Sequence, residues 1–110
     1  MQAEYTPEQV AKLLVSEELQ LIDVRQPHEY EAGHVANAEH IELAELASRA
    51  QELDPDKSLV FYCRSGARSA MATQAFRRAG FDAYNMSGGL LKWQAADLPL
   101  EPADGYVAET

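Results

Sequence analysis

Apolar positions along the chain alternate between helical spacing and short apolar runs, which predicts helices and strands in turn. The first predicted helix begins at Thr6, because Thr6 can cap it, Pro7 fits the first turn and Gln9 can complete a capping box. Apolar residues at positions 10, 13 and 14 continue this helix. Further helices are predicted over residues 42–53, 69–79 and 90–96, with one helical turn at 28–31.

Three segments have the composition of buried strands. They are residues 19–24, 58–62 and 82–86, each a short, mainly apolar run. Strands that alternate with helices over short connections indicate βαβ units. The sequence therefore predicts an α/β fold with a mainly parallel sheet and helices on both faces.

The chain of 110 residues, 46% hydrophobic and 25% charged, has the size and composition of one domain. We predict that this domain spans residues 1–97 and that an acidic C-terminal tail follows, residues 98–110. Proline and glycine in the tail leave two alternatives open: it is frayed, or it is docked through Tyr106 and Val107.

The net charge of -9 argues against nucleic acid as a partner, because phosphate binding needs a clustered basic face. No stretch approaches the roughly 20 apolar residues that cross a bilayer, and the N-terminal start has neither a basic region nor an apolar signal core. We therefore expect a cytoplasmic protein with no membrane partner. His28, His34 and His40 lack the spacing of metal ligands on one helix face, so neither a metal ion nor a cofactor is expected.

The distribution of charge along the chain is more informative than the net charge. Residues 1–56 carry 13 acidic and 3 basic side chains, whereas residues 57–92 carry 1 acidic and 6 basic ones. The basic segment surrounds the single cysteine, Cys63. Because Cys63 follows a predicted strand and precedes a predicted helix, it should lie at the carboxyl edge of the sheet, where reacting groups gather.

The segment that begins at this cysteine predicts an anion-binding loop. It comprises Cys63, Arg64, Ser65, Gly66, Ala67, Arg68 and Ser69. Gly66 allows a tight bend, and inward-facing N–H groups with a helix dipole behind them favour negative charge. Such surroundings lower a cysteine pKa from about 8.5, which makes Cys63 a candidate nucleophile. Arg64 and Arg68 can receive a dianion, and either serine can donate a hydroxyl hydrogen bond, although capping of the helix is the simpler role for Ser69.

Two further pairs of residues are candidates for supporting roles. Asp23 and Arg25 end a neighbouring predicted strand. We interpret them as an ion pair or a hydrogen-bonded brace that holds loops in place, and not as proton donors. Gly88 and Gly89 predict a tight turn.

Four segments, in this order and spacing, resemble the rhodanese family. They are residues 21–25 (LIDVR), 29–35 (EYEAGHV), 60–69 (VFYCRSGARS) and 87–93 (SGGLLKW). The resemblance implies a three-layer fold with a five-stranded sheet, and it places Gly88-Gly89 beside the active site. It implies that Cys63 takes sulfane sulfur from an anionic donor such as thiosulfate, as a persulfide. The sulfur then passes to cyanide, a thiol or a sulfur-accepting protein, and Arg68 both supports the loop and attracts the donor.

Two other functions compete with this hypothesis. Cysteine-dependent phosphatases and arsenate reductases use the same strand, loop and helix, but their loop is one residue longer than the four residues between Cys63 and Arg68. The narrower loop suits a single sulfur atom, and the chain lacks the further thiols that an arsenate reductase needs. A sulfur-relay or regulatory binding module with a dedicated protein partner stays open, because it would keep the same loop.

Overall fold

The computed structural model describes residues 3–110 and contains a sheet of five strands. In chain order the strands are β1 (Glu4–Tyr5), β2 (Leu19–Asp23), β3 (Glu39–His40), β4 (Ser58–Tyr62) and β5 (Ala83–Met86). They pair in the order β1-β5-β4-β2-β3, and every pair is parallel. The predicted α/β fold with a five-stranded, mainly parallel sheet is confirmed.

Helices cover the two faces of this sheet. The α-helices are α1 (Pro7–Val15), α2 (Pro27–Ala32), α3 (Ala67–Arg78) and α4 (Gly89–Ala95). The predicted capping box begins α1, with Thr6 Oγ1 accepting from the Gln9 N–H at 3.2 Å and Gln9 Oε1 accepting from the Thr6 N–H at 2.8 Å. Within residues 3–110 no helix is long and apolar enough to cross a bilayer.

The predicted α-helix over residues 42–53 is wrong. Two short 3-10 helices occupy this segment, Leu43–Glu45 and Ala47–Glu52. Leu43 and Leu46, and then Ala50 and Leu53, are three residues apart, which fits the three residues per turn of a 3-10 helix. Leu46 and Leu53 are both buried and contribute to the core in this form.

Side chains of β4 alternate between the two faces, which fixes where the cysteine points. Leu59, Phe61 and Cys63 belong to the core cluster formed with α3 and the 3-10 helices. Val60 and Tyr62 belong to the cluster formed with α1 and α4. The result is three layers, with Cys63 directed toward α3 from the end of the central strand.

The sequence analysis did not identify β1 and β3. Each has two residues and lies at an edge of the sheet, so neither is long enough to show a periodic pattern. Their strand conformation depends on pairing with β5 and β2.

Residues 98–110 are docked, not frayed. Glu101 and His34 exchange two backbone hydrogen bonds of 2.8 and 2.9 Å, and the Tyr106 N–H donates to the last carbonyl of α2 at 3.0 Å. Val107 packs against the core with its side chain. Tyr106 docks through its backbone, because its side chain is 61% exposed.

The domain boundary at residue 97 stays a prediction. Met1 and Gln2, with which the predicted domain begins, lie outside the described residues.

Candidate active site

Cys63 lies directly after β4, where the chain turns from the carboxyl edge of the sheet into α3. The residue is 1% exposed, so its sulfur lies at the floor of the loop that follows. Gly66 ends this loop in the left-handed conformation, with φ 111°, which glycine adopts without steric cost. Its N–H donates to Cys63 Sγ at 3.1 Å, while Ser65 and Ala67 stay exposed.

The surroundings of the sulfur favour its thiolate form. Burial alone would raise the pKa of the Cys63 thiol, because the charged form loses contact with water. Hydrogen bonds that the thiolate accepts from the Ser69 hydroxyl, and from the backbone N–H groups of Ser69, Gly66 and Ser65, outweigh burial and hold this pKa below the ordinary value for a thiol. The loop therefore prepares the anionic form of the sulfur.

Ser69 does not cap α3, so that prediction was wrong. Gly66 occupies the N-cap position and Ser69 is the third residue of the helix. Its buried hydroxyl lies 3.4 Å from Cys63 Sγ and donates to Asn85 Oδ1 at 2.6 Å. Because α3 begins at Ala67 and not at residue 69, Ser69 points into the site.

The predicted turn at Gly88-Gly89 lies against the loop. Both glycines have left-handed φ angles, 74° and 62°, and they direct the start of α4 at the carbonyl groups of Cys63 and Arg64. Leu90 N–H donates to the Cys63 carbonyl at 2.9 Å, and Leu91 N–H donates to the Arg64 carbonyl at 3.1 Å. A Cβ on Gly89 would lie 2.5 Å from both carbonyl oxygens, so only glycine allows this approach.

The two arginines of the loop have different environments. Arg68 donates from both terminal nitrogens to the Glu29 carboxylate, at 2.8 and 2.9 Å, and therefore supports the loop. Arg64 is half-buried, and its Nε has no hydrogen-bond partner among residues 3–110. Of the two guanidinium groups, only that of Arg68 is held in an ion pair among residues 3–110.

Asp23 and Arg25 form the expected ion pair. Arg25 Nη2 lies 2.6 Å from Asp23 Oδ2, and both side chains are fully buried. The same nitrogen donates to the Gly33 carbonyl at 2.8 Å, and the guanidinium carbon lies 5.6 Å from the centroid of the Tyr62 ring. This pair joins the ends of β2 and α2 beside the cysteine strand.

The sequence analysis missed Glu29 and Asn85. Asn85 lies between apolar neighbours in a predicted strand, and a buried polar residue there requires a partner, so a signal was present. Glu29 lies in a segment without clear periodicity, and its partner Arg68 is 39 residues away. No local sequence pattern links Glu29 to Arg68.

Together these contacts place a buried cysteine sulfur beside N–H donors and at the N-terminus of α3. Such a site can attack an electrophilic centre and retain an anionic product. Within residues 3–110 no group of three or more His, Cys, Asp or Glu side chains could hold a metal ion. Fold and site define an α/β domain with a buried cysteine in a loop at the N-terminus of a helix.

Comparison with known proteins places the chain within that class. The Rhodanese-like domain family matches residues 6–96, and the chain belongs to this family. It is 40% identical over 102 residues to the uncharacterized protein YqhL of Bacillus subtilis. This match covers 84% of this chain and 81% of YqhL. It is 34% identical over 89 residues to the thiosulfate sulfurtransferase GlpE of Pseudoalteromonas translucida, covering 80% and 85% of the two chains.

The crystal structure of a thiosulfate sulfurtransferase from Pseudomonas aeruginosa has the same fold over this domain. Its TM-score is 0.84 at 27% identity, and the match covers 93% of this chain and 20% of that one. The resemblance to the rhodanese family found in the sequence is confirmed. These relatives support sulfur transfer, in a general sense, as the activity of the domain.

Proposed function

We propose that this protein is a sulfurtransferase that moves sulfane sulfur from thiosulfate, or a similar small anionic donor, to a thiophilic acceptor. A persulfide on Cys63 carries the sulfur between the two. The observation that supports this most directly is the 3.1 Å hydrogen bond from the Gly66 N–H to Cys63 Sγ. A donor aimed at this position stabilises both the attacking thiolate and the persulfide anion that replaces it. The proposed location is the cytoplasm.

The reaction consists of two displacements at sulfur. In the first, the Cys63 thiolate attacks the outer sulfur of thiosulfate, the bond to the sulfonate group breaks, and sulfite leaves with that electron pair. In the second, cyanide or a thiolate attacks the outer sulfur of the persulfide, which releases thiocyanate or a new persulfide and restores the Cys63 thiolate. Since the chain has one cysteine, the acceptor comes from another molecule, and ping-pong kinetics are expected.

Each part of the site has a proposed role in these steps. Inward-facing N–H groups between residues 64 and 69 hold the terminal sulfur of the persulfide. Arg64 attracts the anionic donor, because Arg68 already binds Glu29. Asp23 and Arg25, and the turn at Gly88-Gly89, hold the neighbouring loops in place.

The length of the loop favours sulfur over phosphate. Four residues separate Cys63 from Arg68, and Gly66 closes the loop directly onto the sulfur. A tetrahedral oxyanion needs a wider ring of donors than a single sulfur atom does. This argues for a sulfurtransferase and against a phosphatase with the same topology.

The test is the intact mass of the purified protein after incubation with thiosulfate. We expect the gain of one sulfur atom, its removal by cyanide with formation of thiocyanate, and no gain in Cys63→Ser. Loading by a glutathione persulfide but not by thiosulfate would reject thiosulfate as donor and indicate a small persulfide as donor. No gain from either donor, or hydrolysis of an aryl phosphate that depends on Cys63, would overturn the proposal.

A further inference from the structure

The Ser69 hydroxyl has one proton and three acceptors within reach. Its oxygen lies 2.6 Å from Asn85 Oδ1, 3.3 Å from the Gly66 carbonyl oxygen and 3.4 Å from Cys63 Sγ. A hydroxyl donates one hydrogen bond, and 2.6 Å is the separation of a strong O–H···O contact. The proton therefore points at Asn85, and the sulfur faces the lone pairs of the Ser69 oxygen.

The orientation of the Asn85 amide follows from its other contacts. Its Nδ2 lies 3.3 Å from the Gly66 carbonyl oxygen and 3.3 Å from Glu4 Oε2. Both partners are acceptors, so the NH2 end of the amide must face them and the oxygen must face Ser69. An amide oxygen cannot donate, so Ser69 supplies the proton of the short contact. Ser69 is fully buried and Asn85 is 5% exposed, so the contact between these two side chains is shielded from water.

We propose that Asn85 is a positioning residue, because its side-chain oxygen competes with the Cys63 sulfur for the single proton of the Ser69 hydroxyl. While Cys63 is a thiol, its S–H donates to the Ser69 oxygen, which donates to Asn85. When Cys63 loses its proton, the Ser69 hydroxyl rotates toward the thiolate and gives up its bond to Asn85. The thiolate gains one hydrogen bond only as Asn85 loses one.

This competition affects the reactivity of the Cys63 thiolate. Its relevance to sulfur transfer rests on the proposed role of Cys63 as the nucleophile. A thiolate that accepts fewer or weaker hydrogen bonds is more basic and, once formed, more nucleophilic. The loop must stabilise a persulfide anion without stabilising the attacking thiolate so strongly that it becomes inert. Asn85 limits that stabilisation by restraining the Ser69 hydroxyl.

The test removes the competing oxygen with Asn85→Leu, which has a similar size, and with the smaller Asn85→Ala. The ultraviolet absorbance of the thiolate and the rate of alkylation by iodoacetamide, both followed against pH, report on the single cysteine. We expect the midpoint of both profiles to fall by about 0.5–1 pH unit, the equivalent of one hydrogen bond. The limiting alkylation rate of the thiolate should fall about two- to threefold.

Two further variants separate competition from packing. In a Ser69→Ala background the same Asn85 substitutions should leave the midpoint unchanged, because no hydroxyl remains to be released. Thr73→Val serves as the matched control: Thr73 Oγ1 donates to the Ser69 carbonyl at 2.8 Å and is buried, but it does not contact the Ser69 hydroxyl. It should leave the midpoint where it is in the wild type.

A midpoint that stays constant or rises in both Asn85 variants would overturn the proposal, as would an equal fall in the Ser69→Ala background. A rise would indicate that Asn85 only holds Gly66 in place. Thermal unfolding identifies the folded variants, and Asn85→Ala carries the test if Asn85→Leu does not fold. Neither assay uses a sulfur donor, so failure to form a persulfide would contradict the proposed function and leave this result intact.

Discussion

Glu29 and Arg68 form a two-point ion pair that ties the start of α3 to α2. The two N···O distances are 2.8 and 2.9 Å. Glu29 is fully buried and Arg68 is 27% exposed, and the Gln26 N–H donates to the same carboxylate at 3.2 Å. An arginine held in this way positions the first turn of α3, on which the contacts to the Cys63 sulfur depend.

Glu29→Gln should therefore destabilise the protein. The amide keeps the shape of the side chain but removes the charge, and we expect the free energy of unfolding in urea to fall by about 1.5–3 kcal/mol. The control is Glu52→Gln, which breaks the exposed pair between Arg49 and Glu52. Exposed pairs contribute little, so a loss in the control as large as in Glu29→Gln would contradict this interpretation.

The same pair predicts a dependence of stability on pH. Burial would raise the pKa of Glu29, but the hydrogen bonds from Arg68 and the Gln26 N–H lower it below its ordinary value. A depressed carboxyl pKa contributes stability above the unfolded pKa of about 4.3, and this contribution is lost as pH falls through the folded value. The difference in unfolding free energy between wild type and Glu29→Gln should be constant near neutrality and shrink below about pH 4. A difference that grows on acidification would have the wrong sign.

Removing one member of the buried pair between Asp23 and Arg25 should cost more than replacing both. Asp23→Leu leaves a buried guanidinium without its counter-ion, and we expect a loss of about 3–5 kcal/mol in the free energy of unfolding. The double variant Asp23→Leu with Arg25→Met removes the uncompensated charge and should recover part of this loss. Additive losses from the two single variants would show that no such coupling exists.

Comparison of Gly89→Ala with Gly80→Ala separates two causes of lost stability, backbone strain and a steric clash of the new Cβ. Both glycines have left-handed φ angles, 62° and 96°, but a Cβ on Gly80 meets nothing within 4 Å. Gly80→Ala should cost about 1–2 kcal/mol, the strain alone. Gly89→Ala should cost more and slow persulfide formation, because its Cβ would push α4 away from the carbonyls of Cys63 and Arg64. Equal unfolding midpoints for the two variants would contradict the close approach of α4.

Arg64→Gln and Arg68→Gln should affect different measurements. If Arg64 attracts the donor, its substitution should raise the KM for thiosulfate roughly tenfold, the effect of one lost charged hydrogen bond, and weaken the dependence of the rate on salt. It should leave the unfolding midpoint nearly unchanged. Arg68→Gln should lower that midpoint, because it breaks the pair with Glu29. The reverse assignment of effects would exchange the two roles.

The features that could be predicted from the sequence are those with a local cause. The segments over residues 19–24, 58–62 and 82–86 were identifiable as strands because burial on a parallel sheet demands apolar runs. The loop after Cys63 was identifiable because its glycine, arginines and following helix are contiguous. The three-residue spacing that produces the 3-10 helices also fits an α-helix, so that prediction failed.

The remainder depends on partners that are distant in sequence. Serine is a common N-cap residue, but the Ser69 hydroxyl donates a hydrogen bond to Asn85, which lies in β5. Glu29 and Arg68 each resemble ordinary surface residues until the fold joins α2 to α3. Pairings of this kind are set by tertiary structure, and a single sequence does not reveal them.

Segments near both ends of the chain contact residues that support the active site, and this has a consequence for biosynthesis. Glu4 lies in β1 and accepts from Asn85, while the backbone of Tyr106 packs against Gly33, whose carbonyl accepts from Arg25. The contacts that support the active site are therefore complete only when residues a hundred positions apart are in place. We expect a nascent or truncated chain to carry a thiol of ordinary acidity, so that completion of folding, and not the presence of the loop alone, makes the sulfur reactive.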